Sequence, residues 1–316
     1  MTTRPIGISS DPSRAVEVLR NGGLVAIPTE TVYGLAADVT MPEAVERIFS
    51  TKDRPTGHPL IIHVAHLEIA ERWADLSSPT AQVLATTCWP GPLTLLAKRR
   101  PQVSDIVTGG RPTVGIRVPA HPLTQQLLAE HGGAIAAPSA NRFGKVSPTT
   151  AQHVIDDIGN HLDPDRDLIL DGGPCGVGVE STIIDITTNP AQLLRPGGIS
   201  AETISELIGD VDEASGPSRA AGMMASHYAP RTKMTLVEPG DPLPDTSSDE
   251  VYIIDCAQDV VKAAHDLYSE LRAADAAEVS PIIALMPPKE GLGTALRDRL
   301  TKAAADQGRE SANQVG

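Results

Sequence analysis

The chain has 316 residues, 41% hydrophobic but only 3% aromatic, and a formal net charge of −14. That length supports one large domain or two ordinary ones, with a core built mainly from Leu, Ile, Val and Ala. With 26 Lys and Arg against 40 Asp and Glu, spread over both halves, tight sequence-independent nucleic-acid binding is disfavoured, but a local cationic cleft is not.

In chain order, Ser10-Asp11-Pro12 before AVEVLRNGG combines a cap, an early proline and a glycine stop, which predicts a helix. LVAIPT (24–29) predicts a strand ending in a proline turn. MPEAVERIFSTK (41–52) predicts a second helix with Thr40 as N-cap and Pro42 in its first turn. Further strands are predicted at LIIHV (60–64), LTLLAK (93–98), TVGIRV (113–118), AIAAPS (134–139), DLILD (167–171) and STIIDI (181–186). Helical patterns fall around 79–88, 122–131, 149–157 and 200–208. The alternation predicts an α/β fold, its sheet mixed because some successive strands have no helix between them. Periodicity disappears in the stretch from Gly209 to Thr232, so an interdomain linker is expected. MTLVE, VYIID, a helix near 258–274, SPIIALM and a helix near 292–305 then predict a small second domain with a parallel sheet. The tail after Asp306 is polar and expected to fray. No apolar run approaches the roughly 18 residues of a membrane span, and MTTRPIGISSDPSR lacks the apolar stretch of a secretory signal. Cys88, Cys175 and Cys256 are scattered with no CxxC pair, so a cytoplasmic protein with reduced thiols is expected.

Several motifs fall short of a familiar chemistry. No GxxxxGK[ST] phosphate loop occurs. GGPCGVGVEST (172–182) is followed by a strand rather than the helix a pyrophosphate cradle needs, which leaves a flexible active-site loop or a plain turn. His63 and His66 have no third ligand nearby for zinc. Ser139 in APSAN lacks the GxSxG elbow of a hydrolase nucleophile, and neither Cys88 nor Cys175 has an adjacent cation or histidine. What remains is a set of polar residues at strand ends. Thr29, Thr31 and Tyr33 lie in PTETVYG, Lys52 and Arg54 in TKDRPTGHPL, and Arg117 closes TVGIRVP. Ser139 and Asn141 follow a very apolar strand, Ser147 comes soon after, and EST (180–182) and LRPGG (194–198) add hydroxyls and Arg195. Several cations among neutral donors suit a polyphosphate together with a carboxylate, held where loops converge.

In this order the strings PTETVYGL (28–35), KDRP (52–55), WPGPLT (89–94), VGIRVP (114–119), APSANRFGKVSPT (137–149), GVESTIIDI (178–186) and LRPGGI (194–199) resemble the threonylcarbamoyl-adenylate synthase, or YrdC-like, family. GMMASHYAP (222–230) and GLGTALRDRLTKAA (291–304) resemble its long, two-domain form. The resemblance implies a large twisted mixed-sheet YrdC-like domain with an open cleft (1–208), a linker or lid (209–232), a small Rossmann-like α/β domain (233–306) and a frayed tail (307–316). It implies nucleotidyl transfer in which threonine and bicarbonate form a carbamate that attacks the α-phosphate of ATP, with magnesium on the phosphates and no protein ligand for it. Pyrophosphate leaves, and the threonylcarbamoyl-adenylate passes to a separate system that modifies tRNA, with room for a transient tRNA contact.

Carried over residue by residue, Lys52 and Arg54 are the implied catalytic cations. His58, Thr113, Ser139, Asn141, Ser147, Arg195 and Tyr228 join them around ATP. Thr31, Tyr33, His63, Arg117, Ala137 and Ser181 are implied to contact threonine. His227 and Tyr228 are implied to close the cleft mouth; the alternative is that Met223, Met224 and Tyr228 pack over the first domain as a staple. Ala221 stands where the family usually has Pro and Ser226 where it often has Arg, which predicts a less stiff linker with one cation fewer. Two other functions compete. An RNA-binding module conflicts with the acidic charge and the shortage of stacking aromatics. A carbamoyl-adenylate former of the hydrogenase-maturation type would need acylphosphatase and zinc-finger segments that three scattered cysteines do not supply.

Overall fold

The computed structural model describes residues 4–215, 228–244, 251–277 and 281–305. Strand β1 (Gly7–Ser9) leads into helix α1 (Pro12–Arg20), where the Asp11 side chain accepts the Ser13 amide and Pro12 occupies the first turn. Such a cap satisfies an amide that the helix start leaves without a partner. Strands β2 (Val25–Ile27) and β3 (Gly34–Asp38) pair antiparallel. The GLAAD sequence of β3 has no β-branched residue and no alternation, so it carries no strand signal. It forms because all five residues are buried, and a strand covered on both faces need not alternate. Helix α2 (Pro42–Lys52) begins near its expected start, but Thr40 is not its N-cap. Both the amide and the hydroxyl of Thr40 go to Asp38 Oδ1, at 2.8 and 2.7 Å, because a carboxylate two residues away outcompetes a helix amide for the hydroxyl.

Next come β4 (Ile61–His63), α3 (Leu67–Ala70), α4 (Pro79–Cys88), β5 (Leu93–Lys98), α5 (Asp105–Thr108), β6 (Thr113–Arg117), α6 (Pro122–His131) and β7 (Ile135–Ala136). The first unit is completed by α7 (Ala151–Ile158), β8 (Leu168–Leu170), β9 (Thr182–Asp185), β10 (Ala191–Arg195), α8 (Ala201–Ile208) and β11 (Val211–Glu213). Eleven strands make one mixed sheet in the order β1-β8-β2-β3-β7-β4-β6-β5-β9-β10-β11. Strand β11 pairs parallel to β10, with Val211 opposite Ala191, so the sheet extends into the stretch expected to be linker. Its VDE sequence is acidic because it forms an edge, where charge discourages further pairing and no apolar alternation is needed. Residues 216–227 of the expected linker lie outside the described residues, as does the tail 307–316. Leu19, Ile27, Leu35, Ile62, Leu95, Ile116 and Leu127 are among the fully buried side chains of the first core.

The small unit contains β12 (Met234–Val237), β13 (Tyr252–Asp255), α9 (Val260–Ala276), β14 (Ile282–Leu285) and α10 (Leu292–Ala305). Its sheet runs β12-β14-β13, parallel throughout. Its core of Leu267, Leu271, Ile282, Leu296 and Leu300 continues without a break into Val32, Val146, Val179 and Tyr228, so the two units share apolar packing. Gly178 lies at a contact between them. At φ 80° a side chain is already strained, and a Cβ would sit 2.3 Å from the Ala264 carbonyl oxygen of α9. Arg272 of α9 adds an ion pair of 2.6 Å to Asp157. Among the described residues no helix is long and apolar enough to cross a membrane.

Because the sheet is mixed, the ends of some strands meet the starts of others. His63 ends β4 opposite Arg117, which ends β6. Gly34 opens β3 and bridges to Ser139 beyond β7. Ser181 precedes β9, and Arg195 ends β10 opposite Ile183.

Candidate active site

Gly34, His63, Arg117, Ser139, Ser181 and Arg195 line one cleft. It is not confined to the strand ends. Ile61 and His63, two apart on β4, share one sheet face, and the cleft runs across that face to Ala137, Ser139 and Gly34.

At one end the turn after β2 shapes itself. Thr29 donates its hydroxyl to the Val32 carbonyl (2.6 Å) and accepts the Thr31 and Val32 amides. With that hydroxyl proton used, the 2.9 Å contact between the two threonine hydroxyls has Thr31 as donor. Thr31 in turn accepts from Arg117 Nη1 at 3.0 Å, while Arg117 Nε donates to the Gly91 carbonyl and Nη2 lies 2.7 Å from Glu30. Arg117 is therefore held on three sides and partly neutralised. Burial pushes the Glu30 carboxyl up, but Arg117 outweighs it and the net direction is down. His63 Nδ1 lies 3.2 Å from the Ile61 carbonyl, which can only accept, so that nitrogen carries the proton. Burial first, then Arg117, lowers the ring to about 3. The imidazole is thus neutral near pH 7, and Nε2 is an acceptor.

At the other end, Lys52 and Arg54 diverge because α2 stops between them. Asp53 takes a left-handed φ of 55°, and the Arg54 amide returns to the Phe49 carbonyl at 2.9 Å. Arg54 lines the cleft, donating Nη2 to the Pro59 carbonyl (3.0 Å) with its guanidinium 5.5 Å from the Phe143 ring centre. Its Nε is buried and has no hydrogen-bond partner among the described residues, and burial lowers the group to about 10. Lys52 does not line the cleft. It is 1% exposed and reaches behind the following loop, donating Nζ to the carbonyls of Ser139 (2.6 Å) and Asn141. Burial, then Arg54, pushes this ammonium well below its ordinary range. Asn141 spends its amide protons on the Arg142 and Lys145 carbonyls, while its Oδ1 is buried without a hydrogen-bond partner among the described residues.

The far wall holds Glu180, Ser181, Arg195 and Tyr228. Arg195 donates Nε and Nη2 to the Ser181 carbonyl at 3.0 and 2.9 Å, and Nη2 also reaches the Ser181 hydroxyl at 3.0 Å. Tyr228 is buried, at φ 65°, with its ring 5.7 Å from that of Tyr268; burial pushes its hydroxyl up to about 12.

Of the residues named from the sequence, the cleft therefore brings together Thr29, Arg54, Ser139, Arg195, Tyr228, Thr31, His63, Arg117, Ala137 and Ser181. The others stand outside its lining. Tyr33 turns away, its hydroxyl 2.8 Å from the Gly173 carbonyl and also accepting the Gly172 amide. His58 stands beside Phe143, their ring centres 5.1 Å apart. Thr113 opens β6, at the opposite end from Arg117. Ser147 donates to Glu180 at 2.7 Å. His227, Met223 and Met224 lie outside the described residues. Glu30 and Glu180 were missed because both sit in motifs read for their hydroxyls, PTETVYG and GVEST. Of the histidines weighed for zinc, His66 is largely exposed and pairs with Glu68. Among the described residues no group of three His, Cys, Asp or Glu could hold a metal ion, and both carboxylates near the cleft are paired with arginines.

The Sua5–YciO–YrdC family model, described as telomere recombination, matches residues 17–197, and a model of the threonylcarbamoyl-AMP synthase C-terminal domain matches 199–305. Threonylcarbamoyl-AMP synthase of Pyrococcus abyssi is 38% identical, the match covering 92% of this chain and 93% of that protein. The Bacillus subtilis protein of the same name is also 38% identical, over 94% of each. The crystal structure of P. abyssi Sua5 complexed with L-threonine superposes with a TM-score of 0.86 at 35% identity, covering 96% of this chain and 98% of that one.

Proposed function

Since the chain belongs to the threonylcarbamoyl-AMP synthase family, we propose that it converts L-threonine, bicarbonate and ATP into threonylcarbamoyl-AMP and pyrophosphate. One observation carries the reading: a single cleft is lined by Arg117, Thr31 and His63, which suit a carboxylate and a hydroxyl, and by the cations Arg54 and Arg195, which suit phosphates.

Threonine places its carboxylate on Arg117, whose guanidinium Glu30 and Thr31 keep in plane. Its hydroxyl donates to His63 Nε2, which is unprotonated for the reason given above. The amine and bicarbonate condense to a carbamate with loss of water. A carbamate oxygen then attacks the α-phosphorus, the bond to the bridging oxygen breaks, and pyrophosphate leaves with the electron pair. Two anions must meet, so the protein acts mainly by cancelling repulsion and fixing alignment. Arg54 and Arg195 face the phosphates, and Ser139 stands beside them. Lys52 steadies the Ser139–Asn141 loop from behind through two carbonyls. His58, Thr113, Asn141 and Ser147 shape the nucleotide end from outside its lining, and Tyr33 braces the turn that carries Thr31.

Magnesium carried on the ATP phosphates would neutralise part of their charge; among the described residues no group of three His, Cys, Asp or Glu could hold it, and no protein ligand is assigned to it. Tyr228 shields the mixed anhydride from water. The product then passes to a separate transfer system acting on tRNA. The test is pyrophosphate release with each substrate omitted in turn. Release requiring both threonine and bicarbonate is expected; equal release without bicarbonate would exclude a carbamate.

A further inference from the structure

Arg299, in the GLGTALRDRL stretch of α10, reaches the first unit from 119 residues beyond its partner Glu180. It is fully buried. Its Nε donates to Glu180 Oε2 at 2.7 Å, Nη2 to the Pro196 carbonyl at 3.0 Å and Nη1 to Asp298, while its guanidinium carbon lies 5.2 Å from the Tyr228 ring centre. Both oxygens of the Glu180 carboxylate are engaged: Oε1 takes the Ser147 hydroxyl and Oε2 also takes the Tyr268 hydroxyl, each at 2.7 Å. Burial opposes its charge, but Arg299 and then Arg195 outweigh that and hold it near 2. The next residue, Ser181, is the one on which Arg195 is fixed.

Resting on the proposed synthase reading, we propose that Arg299 is a positioning residue for the nucleotide end of the cleft. By occupying Glu180, it leaves the Arg195 guanidinium directed at the phosphates. Two buried guanidiniums flank the Glu180 carboxylate, and only one of them lines the cleft. Remove Arg299, and the carboxylate has Arg195 as its remaining neighbouring cation. Attraction between buried charges is strong enough to draw Arg195 off its Ser181 seat. Arg299 also supports the Tyr228 ring, so its loss loosens the same wall twice.

A buried ion pair between domains could instead be mere adhesive, and the test separates the two. Equilibrium binding of an ATP analogue with a methylene group between the α- and β-phosphates is measured on the full chain, with thermal melting alongside. Arg299→Met is expected to weaken analogue binding about 10- to 100-fold, the worth of a charge-assisted contact. The double variant Arg299→Met/Glu180→Gln, which has no stray carboxylate, is expected to recover most of that loss. Arg299→Lys, which retains the counter-charge, is expected to bind better than Arg299→Met. Adhesive alone predicts that the double variant binds no better than Arg299→Met, and that result overturns the proposal. So does unchanged affinity in Arg299→Met, or weakening by Arg299→Lys as deep as by Arg299→Met. Binding is read without turnover, so failure of the threonylcarbamoyl reaction and failure of this role are separate results.

Discussion

Replacing Glu30 with Gln is expected to destabilise the empty protein and tighten its hold on threonine. Glu30 Oε1 lies 2.7 Å from Arg117 Nη2, and both side chains are mostly buried, at 14% and 5% exposure. Gln has the same shape but one acceptor oxygen, so it cannot serve both Arg117 and the Ala120 amide, which now donates to Oε2 at 3.0 Å. Losing one buried acceptor costs about 1–3 kcal/mol, and an uncompensated guanidinium pushes the figure toward the upper end. At about 2–4 °C per kcal/mol for a unit of this size, the midpoint of unfolding falls by about 4–12 °C. Gly91 and Thr31 still hold the guanidinium, so its geometry survives. A bound carboxylate then supplies the missing negative charge. A gain of about 1–2 kcal/mol corresponds to roughly 5- to 30-fold tighter threonine binding. Thermal melts with and without threonine, together with titration calorimetry, read both quantities. An unchanged midpoint, or weaker threonine binding, would refute the reasoning.

Arg54→Met is expected to lower pyrophosphate release about 10²- to 10³-fold with little change in melting, since it removes a cation that faces the phosphates. Lys52→Met is expected to lose both activity and about 1–3 kcal/mol of stability, because two loop carbonyls lose their donor; comparing melts of the two variants checks the split. Acidification is expected to destabilise the fold. His63 falls from 6.5 to about 3 on folding, so below pH 6.5 the unfolded chain takes a proton that the folded chain refuses. That contribution is complete above pH 6.5 and is lost toward pH 3, at a slope of about 1.4 kcal/mol per pH unit within the window. Glu180 acts with the same sign at lower pH, its contribution present above 4.5 and lost toward about 2. Denaturant titrations across this range, with His63→Gln flattening the upper part, would show it. Truncation after Ser215 is expected to leave a folded first unit, which keeps its own core, with most synthase activity lost; circular dichroism and product analysis report the two.

Much of the architecture was legible because it is local. LIIHV and TVGIRV announce buried strands, and their ends, His63 and Arg117, arrive opposite each other. KDRP and PSAN mark the loops that meet, since prolines and small polar residues at strand and helix ends have few other uses. What the sequence did not disclose is how each charge is spent. Lys52 and Arg54 stand two apart in one motif, yet one left-handed residue between them sends them to opposite sides of a loop. Glu30 and Glu180 take their meaning from arginines 87 and 119 residues away, which no window on the chain can register. GLAAD was silent because its strand is defined by what covers it, and VDE because an edge strand is chosen to look unlike one.

The clamp on Glu180 also gives the chain a direction in time. Ser147 and Glu180 leave the ribosome long before Arg299, and domains generally fold as units from the N-terminus during synthesis. A nascent chain that has completed its first sheet therefore holds a carboxylate still awaiting its counter-charge. The wall of the cleft is finished only when α10 docks. A stalled chain lacking α10 would show this as a folded first unit with little nucleotide affinity.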